Sequence, residues 1–280
     1  MPADDRKEDE KKEDREELEV EERSSPRGAI VYKAVRKEGE DELKRSSAAL
    51  MWSAVAAGLS MGFSFLAQAM LQAHLPDKEW RPLLTSFGYS VGFLIVVLGR
   101  QQLFTENTLT VILPLLTRRD GETLRNVLRL WSVVLLSNLA GALLFALAIA
   151  KTEAVDHETY EAMRALAEHA LAGTFATTLL RGIYAGWLIA LMVWLLPFAE
   201  TARVWVIIII TWVVGLAHFS HIIAGAVEAF FAVFVGSAGV GELVMGFIVP
   251  ALIGNIIGGV SLVAAINHAQ VVSGEEGTDV

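Results

Sequence analysis

The chain has 280 residues, of which 54% are hydrophobic, and its formal net charge is −9. Residues 1 to 45 hold 16 of the 32 acidic and 12 of the 23 basic side chains, whereas the rest of the chain is predominantly apolar. This composition excludes an ordinary soluble enzyme, and the negative charge argues against nucleic-acid binding. Apolar runs of about 20 residues, the length that crosses a bilayer as a helix, recur after residue 45. The sequence therefore predicts a polytopic membrane protein.

The charged segment 1–45 alternates acids with bases and is interrupted by Pro26 and Gly28. Such a pattern is typical of a solvated tail that is partly helical or disordered. The segment has no apolar core that could act as a signal peptide, so we expect it to remain in the mature protein. We also expect that residues 1 to 40 could be deleted with little effect on the membrane domain.

The first half of the apolar region, 46–150, predicts two continuous spans and one interrupted span. Residues 46–71 and 123–150 are the continuous spans. The run 82–116 lies between them, is too long for one crossing, and is interrupted by the polar stretch 99–107. Unpaired backbone groups are costly in hydrocarbon, so we expect this helix to break where it lines a cavity or is buried in protein.

The second half, 170–268, repeats this order after a polar connection. Its predicted spans are residues 170–196, the overlong run 204–234 with a polar interruption at 215–221, and residues 242–266. Because each half has three spans, the halves have opposite orientations. We therefore predict an all-α membrane protein with six spans, an inverted repeat, and broken helices 2 and 5. Paired breaks point to a binding or permeation site near the midplane.

The basic residues near the span ends predict the orientation. Arg118, Arg119 and Arg125 follow the second span, whereas the link between spans 3 and 4 contains five acids. Since basic residues favour the cytoplasmic side, we expect both termini in the cytoplasm of a cell that carries the protein in its inner or plasma membrane.

Four short motifs give the chain a resemblance to the formate/nitrite transporter family. Residues 249–259 read VPALIGNIIGG, very close to the family's P-x-x-x-G-N-x-x-G-G, and residues 102–105 read QLFT, like its E-L-F-T loop. Asn138 and Gly141 match N-x-x-G, and residues 215–218 match G-x-E-H in part. The resemblance covers residues 46 to 268 and implies a homopentamer of aquaporin-like protomers.

The chain also departs from the family pattern. Gln102 and Ala217 stand where the family has glutamate, and Gly186 stands where it has asparagine. No lysine follows Lys151, although family members carry one near the position of Ala170. The sequence is therefore similar to a divergent, YfdC-like branch of the family.

The two histidines of the second break, His218 and His221, are the first candidate site residues. An imidazole near the midplane can exchange a proton near neutral pH and so could protonate a weak acid that crosses with it. A neutral histidine bonded to a carbonyl at the break is the alternative. The family match favours His218 for the pore, which leaves His221 a stability role. A metal site would need Glu228 as a third ligand, and we expect none.

The other candidate pore residues lie at the first break, before it, and in the sixth span. Thr105 offers a hydroxyl, and Glu106 is an ionisable group at membrane depth unless Arg100 or Arg181 pairs with it. Tyr89 and Phe93 lie one turn apart and could narrow a pore or simply pack. The remaining candidates are Leu103, Phe104 and Asn255.

Together these features predict a channel or transporter for a small monovalent anion or its conjugate acid, and they do not predict an enzyme. One hypothesis is that transport is linked to protons through a pore histidine. The alternatives are a neutral-solute channel, although the chain has no Asn-Pro-Ala motif, and an intramembrane metalloprotein. The expected partners are other copies of the chain, the solute and the lipid bilayer, without nucleic acid or cofactor. The predicted organisation is a cytoplasmic tail over 1–45, a transport domain over 46–268 with halves 46–150 and 170–268, and an acidic tail over 269–280.

Overall fold

The computed structural model describes residues 28–276, and every regular element in that range is helical. The α-helices are α1 Gly28–Lys44, α2 Ser47–His74, α3 Arg81–Leu98, α4 Phe104–Thr110, α5 Ile112–Arg118, α6 Gly121–Lys151, α7 His157–Leu171, α8 Phe175–Leu195, α9 Arg203–Leu216 and α10 Ile222–Phe234. The last helical run has π-helical turns over Glu242–Ile248 and Ile257–Ala265, together with α11 Val249–Ile256 and α12 Ile266–Glu276.

Five helical runs are long and apolar enough to cross a membrane. They are Ser47–His74, Arg81–Leu98, Gly121–Lys151, Phe175–Phe198 and Glu242–Val271. These runs confirm the prediction of an all-helical protein with several membrane spans. The run predicted over 204–234 contains the two shorter helices α9 and α10, and the run predicted over 82–116 contains α3, α4 and α5.

The helices begin at residues that satisfy their free N–H groups. The side chains of Ser46, Asp120, Asp156 and Thr174 each accept a hydrogen bond from the backbone N–H three residues later, at the start of α2, α6, α7 and α8 respectively. The polar link between predicted spans 3 and 4 contains one helix, α7. The sequence did not predict this helix, because the acidic residues indicated an irregular connection.

Two helix pairs pack so closely that their contact residues must be glycine. A Cβ at Gly58 of α2 would overlap the carbonyl group of Asn138 in α6, and a Cβ at Gly186 of α8 would overlap the carbonyl group of Asn255 in α11. Small residues let the backbones of membrane helices approach in this way. In each half of the chain, a glycine thus packs directly against the backbone carbonyl of an asparagine.

The charged N-terminal segment is not a free tail over the residues that the structure describes. Tyr32, Val35, Gly39 and Leu43 form a buried stripe along α1, and Val35 is 0% exposed. Their spacing of three and four residues places them on one helix face. Over residues 28–44 the segment is thus a helix that is docked by one face. Residues 1–27 lie outside the described residues, and the predicted tail and domain limits remain predictions.

Specific hydrogen bonds hold α1 against the rest of the chain. The Tyr32 hydroxyl lies 2.9 Å from Thr117 Oγ1 and 2.7 Å from His268 Nδ1. Arg129 of α6 donates to the carbonyl oxygen of Leu43 at 2.8 Å and to that of Arg45 at 3.1 Å. These carbonyls lie at the end of α1, where the helix itself offers no donor.

Gly39→Ala is expected to loosen α1 from its docking site. A Cβ at this position would overlap the backbone carbonyl of Thr110, and overpacking of this kind costs about 1–3 kcal/mol. Intrinsic propensity acts the other way, since alanine favours a helix over glycine by about 1 kcal/mol. Hydrogen exchange of peptides from 28–44 should therefore become faster. Gly28→Ala, where a Cβ would meet no atom, is the matched control, and equal exchange in both variants would contradict the docking.

Candidate functional site

Asn138 of α6 holds the non-helical segment that precedes α4. Its Nδ2 donates to the carbonyl oxygens of Ala54 at 2.7 Å and Gln102 at 2.9 Å, and its Oδ1 accepts a hydrogen bond from the N–H of Phe104 at 2.9 Å. Asn138 is 0% exposed. One buried amide therefore satisfies the Gln102 carbonyl and the Phe104 N–H, which lack a helical partner, and ties them to α2 through the Ala54 carbonyl.

Asn255 of α11 holds the segment before α10 in the same manner. Its Nδ2 donates to the carbonyl oxygens of Gly182 at 2.8 Å and Ser220 at 2.9 Å, and its Oδ1 accepts from the N–H of Ile222 at 2.8 Å. In both halves the amide joins a carbonyl to the N–H two residues later. The starts of α4 and α10 are thus fixed by equivalent contacts.

The residues next to these starts, Thr105 and His221, meet each other. His221 Nε2 lies 2.7 Å from Thr105 Oγ1, and the two residues are 1% and 0% exposed. His221 Nδ1 accepts a hydrogen bond from the N–H of Ala224 at 3.2 Å and so caps α10. Because Nδ1 accepts, it carries no hydrogen, and Nε2–H donates to Thr105. The hydrogen of the Thr105 hydroxyl is then available to another acceptor.

An apolar wall borders this hydrogen bond. Phe93 is fully buried, and its ring centroid lies 5.0 Å from that of His221 and 5.3 Å from that of Tyr89. Tyr89 and Phe93 thus pack one turn apart on α3, and their proposed role in narrowing a pore remains a prediction. Phe104 faces another way, because its ring packs against Trp131 at 5.6 Å.

The structure brings His221, and not His218, to Thr105. His218 has a positive φ of 52° and an exposed side chain. Its ring centroid lies 4.4 Å from that of His169 in α7. Since the two histidines of the second break point to different neighbours, they do not form a pair. Within residues 28–276, no group of three or more histidine, cysteine, aspartate or glutamate side chains could hold a metal ion.

Two cavities lie on either side of the Thr105–His221 hydrogen bond. The α7-side cavity has a volume of about 50 Å³, and its polar lining consists of Gln68, Tyr89, His169, Arg181, His218, Ser220, His221 and Glu228. The α1-side cavity has a volume of about 720 Å³, and its polar lining includes Glu38, Glu42, Arg100, Gln102, Glu106 and Arg203. Leu103, Phe104 and Thr105 line neither of these two cavities.

Helix α8 gives the distance between the two cavities. Arg181, near its start, lines the α7-side cavity, and Val193, near its end, lines the α1-side cavity. Twelve residues of α-helix correspond to about 18 Å. The cavities therefore border α8 about 18 Å apart along its axis; His221 lines the α7-side cavity, and Glu106, which follows Thr105, lines the α1-side cavity.

Glu106 lines the α1-side cavity without a charged partner among the described residues. Its Oε1 is buried without a hydrogen bond in that part of the chain. Arg100 pairs instead with Glu38 at 2.8 Å, and Arg181 lines the opposite cavity. The expected alternative of an ion pair with either arginine is therefore not observed.

Helix α1 reaches the first break through Glu42. Gln102 Nε2 donates to Glu42 Oε2 at 2.6 Å, and Asn107 Nδ2 donates to Gln102 Oε1 at 3.1 Å. Burial raises the pKa of Glu42, although the charge of Arg45 opposes this effect. The side chain of Gln102, which replaces the family's glutamate, thus links α1 to α4.

Glu228 is a site residue that the sequence reasoning considered only as a metal ligand. It lines the α7-side cavity together with His221 and Gly225. The three residues are spaced by four and three positions along α10, so they share one face of that helix. This spacing was visible in the sequence, but the cavity that the face borders was not.

Sequence comparison identifies relatives along nearly the whole chain. The sequence model described as "Formate/nitrite transporter" matches residues 29–269. The inner membrane protein YfdC of Escherichia coli is 39% identical over 265 residues, which cover 94% of this chain and 86% of that protein. The resemblance to a divergent, YfdC-like branch is thereby confirmed.

Solved structures share the fold at low sequence identity. A chain described as "FNT family ion channel" aligns with a TM-score of 0.74 and 16% identity, covering 84% of this chain and 96% of that chain. A second, described as "Pentameric formate channel with formate bound", aligns with a TM-score of 0.66 and 21% identity, covering 81% of this chain and 98% of that chain. These likenesses concern the fold.

Proposed function

The chain belongs to the formate/nitrite transporter family, and we propose from this premise that it passes a small monovalent anion or its conjugate acid across a membrane. Members of this family are channels and transporters and not enzymes. The observation that carries the proposal is the buried Thr105–His221 hydrogen bond between two cavities.

The proposed selectivity follows from the cost of dehydration. A bare anion loses its hydration shell where Phe93 and the buried backbone surround the path, and this loss is expensive unless a donor replaces water. The Thr105 hydroxyl, which accepts from His221, can donate its own hydrogen to such a solute. An anion that gains a proton before the constriction avoids most of the cost.

We propose His221 as the pore histidine, in place of His218. His221 lines the α7-side cavity and also contacts Thr105, whereas His218 lines the cavity from an exposed position beside His169. The comparisons do not favour a neutral-solute channel of the aquaporin type. The separation of the two histidines weighs against the metalloprotein alternative.

The proposed topology has six spans, with α3 and α4–α5 forming the second and α9 and α10 forming the fifth. The equivalent contacts of Asn138 and Asn255 support an inverted repeat whose broken helices meet at Thr105 and His221. Cytoplasmic termini, proposed from the basic residues after the second span, would put the α1-side cavity on the cytoplasmic side. Residues 46–268 would then be the transport domain.

We propose that the chain forms a homopentamer in an inner or plasma membrane, each protomer having its own pore. The similarity to a channel described as pentameric supports this assembly. The outward face of the helices carries large apolar side chains, such as Trp52, Leu136 and Trp205, which are 70%, 66% and 65% exposed. Lipid or neighbouring protomers would cover such a surface.

A flux panel in proteoliposomes tests the proposed function. Formate, nitrite, hydrosulfide, acetate, glycerol and water are compared at two pH values, and native mass spectrometry of the same preparation reports the assembly. We expect formate, nitrite or hydrosulfide to enter faster than in empty liposomes, with five chains per particle. Entry of glycerol or water without any of the anions would favour a neutral-solute channel and contradict the proposal.

A further inference from the structure

Glu228 places a carboxyl group in the α7-side cavity, in line with His221. The two residues are seven positions apart on α10, which corresponds to about 10 Å along the helix. Gly225 lies between them on the same face, and the ring of Phe247 packs against it. The cavity that His221 and Glu228 both line has a volume of about 50 Å³, enough for a few water molecules.

This carboxyl has no salt bridge among the described residues. Ion pairs are found on α1, between α1 and the loop residue Arg100 or α5, between Asp77 and Arg81, and within α7. An ionised carboxylate without a partner at membrane depth is expensive, and it would repel an entering anion. A protonated carboxyl avoids both effects and can donate a proton.

His221 is poorly arranged to supply that proton itself. Its Nδ1 accepts the hydrogen bond from Ala224 that caps α10, and its Nε2–H is directed to Thr105. A second proton on the ring would have to displace the Ala224 N–H and leave that buried donor without an acceptor, which is unfavourable. The geometry thus keeps His221 neutral while an anion approaches, and the proton must come from another group.

We propose that Glu228 donates a proton to the anion in the α7-side cavity, so that the neutral acid continues past Thr105 and His221. This proposal rests on the proposed function. The O–H bond of the Glu228 carboxyl breaks, its electron pair remains on the carboxylate, and an O–H bond forms on the solute. A proton from the solution on this side, relayed by water in the cavity, returns to the carboxylate, so each cycle carries one proton inward with one anion.

Other charged and titratable groups face the same cavity. They are Tyr89 of α3, His169 of α7, Arg181 of α8, and His218 and His221 at the second break. The last helical run contributes Phe247 and α2 contributes Gln68, neither of which titrates. Arg181 can attract the anion and stabilise the carboxylate that proton transfer leaves behind.

The test compares formate with formamide, a neutral molecule of the same number of heavy atoms, in proteoliposomes of the full chain. A pH-sensitive dye inside the vesicles reports proton entry. In Glu228→Gln, which keeps the side-chain shape, formate uptake should fall about a hundredfold, the lower end of what a positioned acid contributes. Formamide uptake should be unchanged. Glu228→Asp should retain much of the formate uptake, and Glu161→Gln, an exposed acid on α7, should behave as wild type.

Every other outcome contradicts the proposal, and each leads to a different conclusion about Glu228 or about the proposed function. Equal loss of formate and formamide uptake in Glu228→Gln would assign Glu228 a structural role, and an unchanged formate uptake would remove it from the pathway. Formate entry without internal acidification in the wild type would also overturn it. If the wild type transports none of formate, nitrite and hydrosulfide, the proposed function itself fails. Should Glu228→Gln not fold, infrared difference spectra of the wild type must show loss of a protonated carboxyl band when formate is added.

Discussion

Asn255→Leu is expected to abolish the folded oligomer or to lower its thermal stability more than any other single change considered for this chain. Leucine has nearly the shape of asparagine but cannot bond to Gly182, Ser220 or Ile222, and the buried Ser220 carbonyl and Ile222 N–H have no helical partner to replace the amide. Each buried group left unpaired costs about 1–3 kcal/mol. For these two groups together the cost is a large share of the stability of a typical domain, about 5–15 kcal/mol.

Size-exclusion chromatography of detergent-solubilised protein after heating measures this effect. Asn267→Leu is the matched control, because Asn267 donates one hydrogen bond within its own helical run, to the carbonyl oxygen of Val263 at 2.9 Å, and is not fully buried. The expectation would be wrong if the two variants lost their oligomer at the same temperature. Asn138→Leu should resemble Asn255→Leu, since its contacts are equivalent.

Hydropathy predicts the membrane helices of this chain well, for a physical reason. A helix such as Gly121–Lys151 needs about 20 apolar residues to cross the lipid bilayer, and these residues are consecutive in the sequence. Interruptions are visible for the same reason, because polar residues at 99–107 and 215–221 stand out in apolar surroundings. Contacts between residues that are far apart in the sequence produce no such pattern.

In helix α1, the strong pattern of alternating charge obscures the weaker helical spacing of the buried residues. Its buried positions, Tyr32, Val35, Gly39 and Leu43, follow helical spacing, but they stand among residues dominated by alternating charge. Composition therefore indicated a solvated segment. The outcome depends on Gly39, which lets the helix approach the carbonyl of Thr110, and on Arg129, which meets the end of α1 from a distant helix.

The choice between His218 and His221 also depends on distant residues. Both histidines lie in the second break, and the family motif matched His218. Asn255 fixes the N–H of Ile222, so α10 begins there and His221 becomes its capping residue. His218 lies two residues past the end of α9 at a positive φ and turns towards His169. A sequence spacing of three residues contains none of this information.

His221→Asn is expected to lower the ratio of formate to formamide flux by about tenfold or more. Asparagine is among the best capping residues, so the bond to Ala224 can be kept and α10 should still begin correctly. Its shorter side chain no longer reaches Thr105, and a helical threonine without a partner bonds to a carbonyl of its own helix. The solute then loses the hydroxyl that replaces its hydration.

The size of the effect follows from the lost donor. A hydrogen bond to a charged group contributes about 1.5–3 kcal/mol, and each 1.4 kcal/mol corresponds to a factor of about ten. The hydroxyl stabilises formate while the anion moves from the α7-side cavity towards the constriction and its proton transfer is incomplete. Formamide is neutral throughout, so the ratio separates the effect on the charged solute from a general change in pore width. Both fluxes are measured in the same proteoliposomes.

His218→Asn is the matched control, since it makes the same substitution three residues earlier. Asparagine tolerates the positive φ of this position, and the change removes only the ring that packs against His169 outside the Thr105 contact. We expect its flux ratio to fall less than that of His221→Asn, because His218 lines the α7-side cavity but makes no contact with Thr105. If the ratio of formate to formamide flux fell more in His218→Asn than in His221→Asn, His218 would be the pore histidine, as the sequence motif suggested.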